Sequence, residues 1–426
     1  MKKRFLLAFS FVALACVSAF AQTTKEEMFA TIEKTGSVYY AYPVTESLNT
    51  KAPKGYTPFY ISHYGRHGSR FLISYDDYDS VYQIFLQAEK NDALTELGKD
   101  VLNRMHEICA EAKGTTGELT PLGRLQHRGI AERMYTAFPE VFAHRDSISA
   151  RSTLVHRCAM SMAAFCDRLK EMNPQLHIYH QMDNRHMSYL INRTPEGQRF
   201  SSMRTGEWAE EYRKFKEEHI KTDRLMKALF SKADFVRMKV NPQKFVWALY
   251  WVTIDLQNME TKVSLYDIFE KQELFDLWQC FNHQLYSATA NNPLGKGAVP
   301  SNAKNLVRNI IESADEAIKD DCNIAATLRF GHDSGITPLA ALMEINNFAA
   351  ESPRPEETYK YWCDWQVSPM AANLQIIFFN KKNGTKDDIL VKVLYNEREA
   401  KVPVKTDMFP FYKWTDFRDF YLNKIK

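Results

Sequence analysis

The sequence predicts an α/β protein: a central, mainly parallel sheet flanked by helices, with an α-helical cap inserted into it. Short apolar runs that read as buried strands lie at 57–63 (TPFYISH) and 323–331 (NIAATLRFG), a second short strand is expected at 147–152 (SISARS), and helical patterns follow each. The stretch from about 167 to 300 is helix-rich, charged and aromatic, with no succession of strands beyond a short run near His177. Strands alternating with helices build a sheet covered on both faces, so the strand-poor middle is expected as the cap. The expected division is residues 22–166 and 301–426 for the α/β domain and 167–300 for the cap.

The first strand runs into a loop at Gly65. Leu94, Leu97, Val101, Met105 and Ile108 then recur at three and four, as do Leu122, Leu125, Ile130 and Met134 less strictly. Each pattern follows an LTxLG stretch (94–98 and 119–123), which places Thr95 and Thr120 as helix N-caps. After the second strand, Leu154, Cys158, Met162, Phe165 and Leu169 form one helical face. The run 207–232 reads as a charged helix with a solvated face. A helix from Pro300 to about Lys319 leads into the third strand, and Leu339, Leu342 and Met343 mark the helix after it. Two strands, Asn373–Asn380 and Asp388–Tyr395, close the chain.

Composition narrows the function. Lys2, Lys3 and Arg4, an apolar run from Phe5 to about Ala15, and Ala19-Phe20-Ala21 are the three parts of a secretory signal. Cleavage near Ala21 implies an exported chain, periplasmic or extracellular. Cys16 raises the alternative of a lipoprotein anchor, for which Ala13-Leu14-Ala15 is a poor context. No later run approaches the ~20 apolar residues of a membrane span. The net charge of +3 comes from the leader, whose three bases, subtracted from 55, leave 52 basic against 52 acidic residues. A neutral mature chain lacks the broad basic face that nucleic acids or anionic membranes require. Any anionic ligand must be held by a local cluster. The six cysteines left after cleavage are widely spaced, without a CxxC or zinc-binding pattern, so buried thiols are as consistent as bridges.

Two segments carry the chemistry: Arg66-His67-Gly68-Ser69-Arg70 after the first strand and Gly331-His332-Asp333-Ser334-Gly335 after the third. Both lie past the C-terminal end of an expected strand, the edge where open α/β sheets bind ligands. They meet in space if their strands are neighbours. Arg157, in the first turn of the helix after the second strand, joins them by the same logic, with Arg151 as the alternative. Guanidinium forks match phosphate oxygens. Between arginines, a histidine is disfavoured as a cation and stays nucleophilic at mildly acidic pH. Attack of such an imidazole on phosphorus gives a phosphohistidine, with Asp333 as the nearest acid for the leaving oxygen. His63 and His67 are four apart, but the glutamate of HExxH is missing and a loop divides them, which disfavours a metal pair. No cofactor is called for: neither the GxxxxGK[ST] phosphate loop nor the GxSxG serine-nucleophile motif is present.

These residues resemble the histidine acid phosphatases, branch 2 of the histidine phosphatase superfamily, which includes phytases and multiple inositol polyphosphate phosphatases. The resemblance rests on RHGSR at 66–70, His332-Asp333, Leu119–Gly123 with Gln126, Arg157 with Ser161 and Phe165, and the closing strands at 369–379 and 393–396. It implies a phosphoglycerate-mutase-like fold. It also implies a secreted, metal-independent phosphomonoesterase acting on a small phosphate monoester, inositol phosphates among them. His67 is implied as nucleophile, Asp333 as general acid, and Arg66, Arg70, Arg157 and His332 as phosphate ligands. Two departures stand out. The inositol polyphosphate enzymes typically carry His-Ala-Glu where this chain has His332-Asp333-Ser334, and Phe71-Leu72-Ile73 replaces a proline-containing stretch. A highly charged substrate needs further cations at the mouth, for which Arg185, Arg193 and Arg199 are candidates. Transfer of the phosphoryl group to an alcohol, as in a transferase or mutase, and a non-catalytic phosphate-ester binding protein are the alternative functions.

Overall fold

The computed structural model describes residues 24–44, 49–352 and 354–426; the expected leader, its cleavage site and Cys16 lie outside them. Eight strands form one sheet: β1 (Tyr56–Arg66), β2 (Ser147–Ser152), β3 (His177–Gln181), β4 (Ile324–Gly331), β5 (Asn373–Lys381), β6 (Leu390–Tyr395), β7 (Arg398–Glu399) and β8 (Phe411–Lys413). Their spatial order is β3-β2-β4-β1-β5-β6-β7, with β8 beside β6. The four strands from β3 to β1 are parallel, and β5 to β8 extend the sheet with antiparallel pairs. The α/β fold expected from the sequence is therefore present, and β1 and β4 are direct neighbours.

Alternation along the strands decides which side chains reach which face. Tyr60 and Tyr64 of β1 and Leu374, Ile376 and Phe378 of β5 share one core, while Ile61, Ile377 and Phe379 share the other. Helices α1 (Asp76–Lys90), α2 (Glu96–Ala112), α3 (Pro121–Ala137) and α4 (His156–Met172) follow the first two strands. Of these, α3 and α4 cover the Ile61 face with Ile130, Met134, Phe165 and Leu169. Beyond them come α5 (Ala209–His219), α6 (Asp223–Leu229), α7 (Pro242–Asp255), α8 (Lys271–Thr289), α9 (Lys304–Ala317), α10 (Asp333–Leu342) and α11 (Trp414–Lys424). The Tyr60 face packs on α9, α10 and α11 through Leu306, Ile310, Leu339 and Phe417. Each fully buried side chain of this size contributes about 1.5–3 kcal/mol of transfer free energy.

A third core contains no strand residue. It joins Tyr78, Phe85, Met105 and Ile108 of α1 and α2 with Tyr212, Leu229, Phe245, Leu249 and Phe281 of α5 to α8. The helical layer thus draws on two stretches, 71–112 and 200–281, whereas β3, inside the middle segment, belongs to the sheet. The run 207–232 is two helices rather than one, and its Tyr212, Phe215, Leu225 and Leu229 are buried, not solvated. Leu125 and Leu154, expected on buried faces, are 64% and 46% exposed. On α3 the inward positions there fall instead to Gln126, which bonds the Ser69 amide, and to His127, whose ring packs against Phe165 and Phe330. All six cysteines among the described residues are free thiols. None of the described helices is long and apolar enough to cross a membrane.

The two LTxLG stretches build the same joint. Thr95 and Thr120 are N-caps whose hydroxyls accept from the Gly98 and Gly123 amides at 3.0 and 3.2 Å. Each hydroxyl also donates to a carbonyl of an abutting chain, Ala228 for Thr95 and Ser69 for Thr120. Glycine is needed at the third helical position because a Cβ would strike that chain, at the Leu229 or the Ser69 carbonyl. Thr95→Ala and Thr120→Ala should each lower the unfolding free energy by about 1 kcal/mol in denaturant titration. Only Thr120 has its partner in the loop carrying His67, at Ser69.

Candidate active site

The parallel register places the C-terminal ends of β1, β2 and β4 side by side, with Arg66 opposite Gly331 and Ser152 opposite Phe330. Past those ends lie the three motif segments. The His67 amide donates to the Gly331 carbonyl at 2.9 Å, and the His67 carbonyl accepts from Ala371 N at 2.9 Å. The Arg66 amide donates to the Ala372 carbonyl at 2.8 Å. The peptide before the imidazole is therefore fixed between β4 and the chain entering β5. Ala371 holds φ +57°, a left-handed conformation that costs a non-glycine residue of order 1–3 kcal/mol. Its amide reaches the loop from that conformation.

Four further bonds hold the loop from α3, α4 and the helical layer. Gly68 N donates to Ser161 Oγ at 3.1 Å, and Ser69 N to Gln126 Oε1 at 2.9 Å. Gln126 Nε2 donates to Ser69 Oγ at 2.8 Å, and that hydroxyl donates to Asn258 Oδ1 at 2.6 Å. These contacts say why Gln126 and Ser161 accompany the motif.

The His67 ring is 2% exposed, and its Nδ1 lies 2.9 Å from the Gly68 carbonyl oxygen. A carbonyl only accepts, so Nδ1 carries the hydrogen and Nε2 keeps its lone pair. Burial, then Arg66, Arg157 and Arg70, push this histidine well below its ordinary value of 6.5. The ring stays neutral. His332 stands edge-on to it, ring centroids 5.7 Å apart, and burial, with Arg157 and Arg66, pushes it down to about 4 although Asp333 opposes the shift. Thr153 Oγ1 lies 3.1 Å from His332 Nε2, and Cys158 Sγ lies 3.6 Å from it.

The cations are arranged around these rings. Arg66 is fully buried; its Nη1 donates to the Val38 and Ser368 carbonyls, and its Nη2 lies 3.4 Å from Asp333 Oδ2. Arg70 donates to the Phe71 carbonyl at 2.7 Å and to the Tyr39 hydroxyl at 2.9 Å. Arg157, half-buried in the first turn of α4, is the third charge felt at His67. The Nε atoms of all three arginines are buried without a hydrogen-bond partner, and unsatisfied buried donors of one sign call for an anion. Asp333, its side chain 30% exposed, opens α10 and accepts from the Ser334 amide at 2.7 Å. Burial opposes its ionisation, yet Arg66, His332 and that amide hold the carboxyl below the usual carboxylate range.

All six residues singled out in the sequence thus converge. Arg151, the alternative to Arg157, points elsewhere, bonded to Gln181 and to the Tyr189 hydroxyl. His63 is packed against Phe165 and Phe330, ring centroids 5.1 and 5.3 Å away, rather than sharing ligands with His67. Among the described residues no group of three or more His, Cys, Asp or Glu is placed to hold a metal ion. Of the three candidate cations at the mouth, all exposed, Arg185 is paired with Asp183 at 3.0 Å, and Arg193 is the one whose charge reaches His332. Sequence reasoning missed Val38, Tyr39, Ser368, Asp255 and Asn258. They act through carbonyls or single side chains in stretches without a motif, so no local signal marks them.

With this geometry in hand, comparison places the chain. The family model for the histidine phosphatase superfamily (branch 2) matches residues 65–396, and the chain belongs to that family. The structure superposes on the multiple inositol polyphosphate phosphatase of Bifidobacterium longum in complex with inositol hexasulfate, with a TM-score of 0.72 at 19% identity, over 90% of this chain and 96% of that one. It is also similar to the D. castellii phytase, with a TM-score of 0.65 at 15% identity over 92% and 85% of the two chains. The Hafnia alvei phytase gives a TM-score of 0.53 at 12% identity over 88% and 98%. At these identities the likeness is one of fold. No curated protein matches the sequence.

A second histidine pair lies beneath the loop. His63 and His127 have no partner on any ring nitrogen, and burial pushes both down to about 3. The unfolded chain titrates these groups near 6.5 and so binds more protons between those values. Stability is full above 6.5 and declines as the pH falls towards 3. His127→Leu should therefore move the acid-unfolding midpoint, followed by circular dichroism, to lower pH. An unchanged midpoint would show that other groups set the acid limit.

Proposed function

We propose that this chain is an exported phosphomonoesterase that hydrolyses small phosphate monoesters through a phosphohistidine on His67. One observation carries the reading: a buried imidazole, kept neutral with Nε2 free, sits among three guanidinium groups with orphaned donors, and a carboxyl group adjoins them. Arg66, Arg70, Arg157 and His332 bind the phosphoryl oxygens. Nε2 of His67 attacks phosphorus as the bond to the leaving oxygen breaks, and Asp333 gives that oxygen its proton. Water then attacks the phosphohistidine, Asp333 takes a proton from it, and phosphate leaves with His67 restored.

The low proton affinity of Asp333 reflects Arg66, His332, the Ser334 amide and Arg70, which outweigh its burial. A phosphate dianion among those guanidiniums cancels much of their field, which raises the affinity of the carboxyl for a proton when one is needed. The helical layer formed by 71–112 and 200–281 serves in this reading as the substrate-facing cap. The substrate class we favour is the inositol phosphates, in keeping with the multiple inositol polyphosphate phosphatase and the phytase whose folds this chain shares. Arg193, exposed and close enough to be felt at His332, is the residue we assign to a second phosphate. Export follows from the leader read in the sequence.

Purified mature protein should release phosphate from an aryl phosphate between about pH 4 and 7, and EDTA should leave the rate unchanged. Sensitivity to the chelator would sink the metal-independent mechanism. His67→Ala should lower kcat by about a thousandfold or more. Asp333→Asn should lower kcat on alkyl esters by ~10²–10⁴ and much less on aryl esters, whose leaving group needs no proton. Arg193→Ala should raise KM for phytate more than for an aryl phosphate; equal effects would remove Arg193 from the recognition of a second phosphate.

A further inference from the structure

The mechanism leaves unused the segment ahead of β1, Thr35 to Tyr39, although it reaches the centre of the site. Its last two residues grip two different arginines. The Val38 carbonyl accepts from Arg66 Nη1, and the Tyr39 hydroxyl accepts from Arg70 Nη2 at 2.9 Å. The Tyr39 ring also lies against the Arg70 guanidinium, 4.8 Å from its carbon, and is 2% exposed.

The segment is held against local preference. Ser37 is fully buried with φ +59° and ψ −134°, a region that side chains avoid unless the surroundings enforce it. Here they do. Ser37 Oγ donates to Asp364, whose other oxygen accepts from Trp278 Nε1 at 3.0 Å. The Thr35 carbonyl accepts from the Tyr250 hydroxyl at 2.6 Å. Asn258 Nδ2 donates to the Tyr39 carbonyl at 3.0 Å, while Asn258 Oδ1 takes the Ser69 hydroxyl at 2.6 Å. The bonds close a ring: Ser69 to Asn258, Asn258 to Tyr39, Tyr39 to Arg70, and back along the loop to Ser69. Strain kept at a site is most simply kept for that site.

We propose that Tyr39 is a positioning residue for Arg70, and that the strap 35–39 thereby completes the phosphate-binding set. This rests on the reading of the cluster as a phosphate site and adds an element outside every recognised motif. A long arginine side chain has many rotamers. The Tyr39 hydroxyl removes that freedom before the anion arrives, so less is lost on binding.

Tyr39→Phe keeps the ring against the guanidinium and deletes only the acceptor. The inhibition constant for inorganic phosphate should rise about tenfold and kcat/KM for an aryl phosphate should fall about tenfold, as expected for one charge-assisted hydrogen bond, while the circular-dichroism spectrum stays that of the wild type. In an Arg70→Ala background the same substitution should change neither constant by more than about twofold, because its effect passes through Arg70. Wild-type constants in Tyr39→Phe would overturn the proposal, and so would a tenfold loss that persists without Arg70. A wild-type protein that binds phosphate in calorimetry without turnover would sink the hydrolase reading alone; Tyr39→Phe should then weaken that binding about tenfold, and an unchanged affinity would overturn this inference. One that binds none would sink both.

Discussion

An imidazole surrounded by guanidinium groups cannot easily take up a proton, because each nearby positive charge raises the energy of a further one. The rest of the site depends on this constraint. Burial, together with the charges of Arg66, Arg157 and Arg70, keeps His67 neutral and so preserves the lone pair on Nε2. The same charges leave the cluster short of anions, with buried donors that nothing in the described chain satisfies. One arrangement therefore does two things at once, and a phosphate ester is the ligand class that uses both.

Holding like charges together is unfavourable, and the fold supplies the restraint. The peptide carrying His67 is fixed on both sides by main-chain bonds to Gly331 and Ala371. The loop after it is tied to α3, α4 and the helical layer through Gln126, Ser161 and Asn258. Arg66 is clamped by carbonyls of Val38 and Ser368, and Arg70 by the Tyr39 hydroxyl. Asp255 belongs to the same scaffold: its carboxylate accepts from the Leu72 amide and the Tyr78 hydroxyl, and burial pushes it up to about 7. Two residues in the left-handed region, Ser37 and Ala371, lie beside these clamps. Local strain and long-range bonds are both concentrated where the charges meet.

What the sequence disclosed follows from how local each feature is. Strands β1, β4, β5 and β6 were legible because buried strands write themselves as short apolar runs bounded by loops; β2, mostly polar, was legible as the short stretch ahead of a helical pattern. Arg66, His67, Arg70, His332 and Asp333 were legible because each motif is continuous and sits at a strand end. Arg157 needed the extra argument that its helix starts beside them. By contrast, the inward face of α3 was misread at Leu125, since burial there falls to two polar residues, Gln126 on the Ser69 amide and His127 between Phe165 and Phe330. The helical run at 207–232 was misread as solvated because its charges outnumber its apolar residues, although Tyr212, Phe215 and Leu229 are buried. The strap at 35–39 left no trace at all: its contacts are made by carbonyls and one phenol, and they depend on residues more than 200 positions away, such as Asn258.

The account stands or falls on the atom that receives the phosphoryl group. Rapid quenching of the enzyme during turnover of a phosphate ester, followed by peptide mass analysis, reads this directly. The account predicts a phosphoryl group on the His67 imidazole, labile in acid, stable in base and lost in His67→Ala. Phosphate carried by any other residue, or steady turnover with no covalent phosphoenzyme at any quench time, would contradict it.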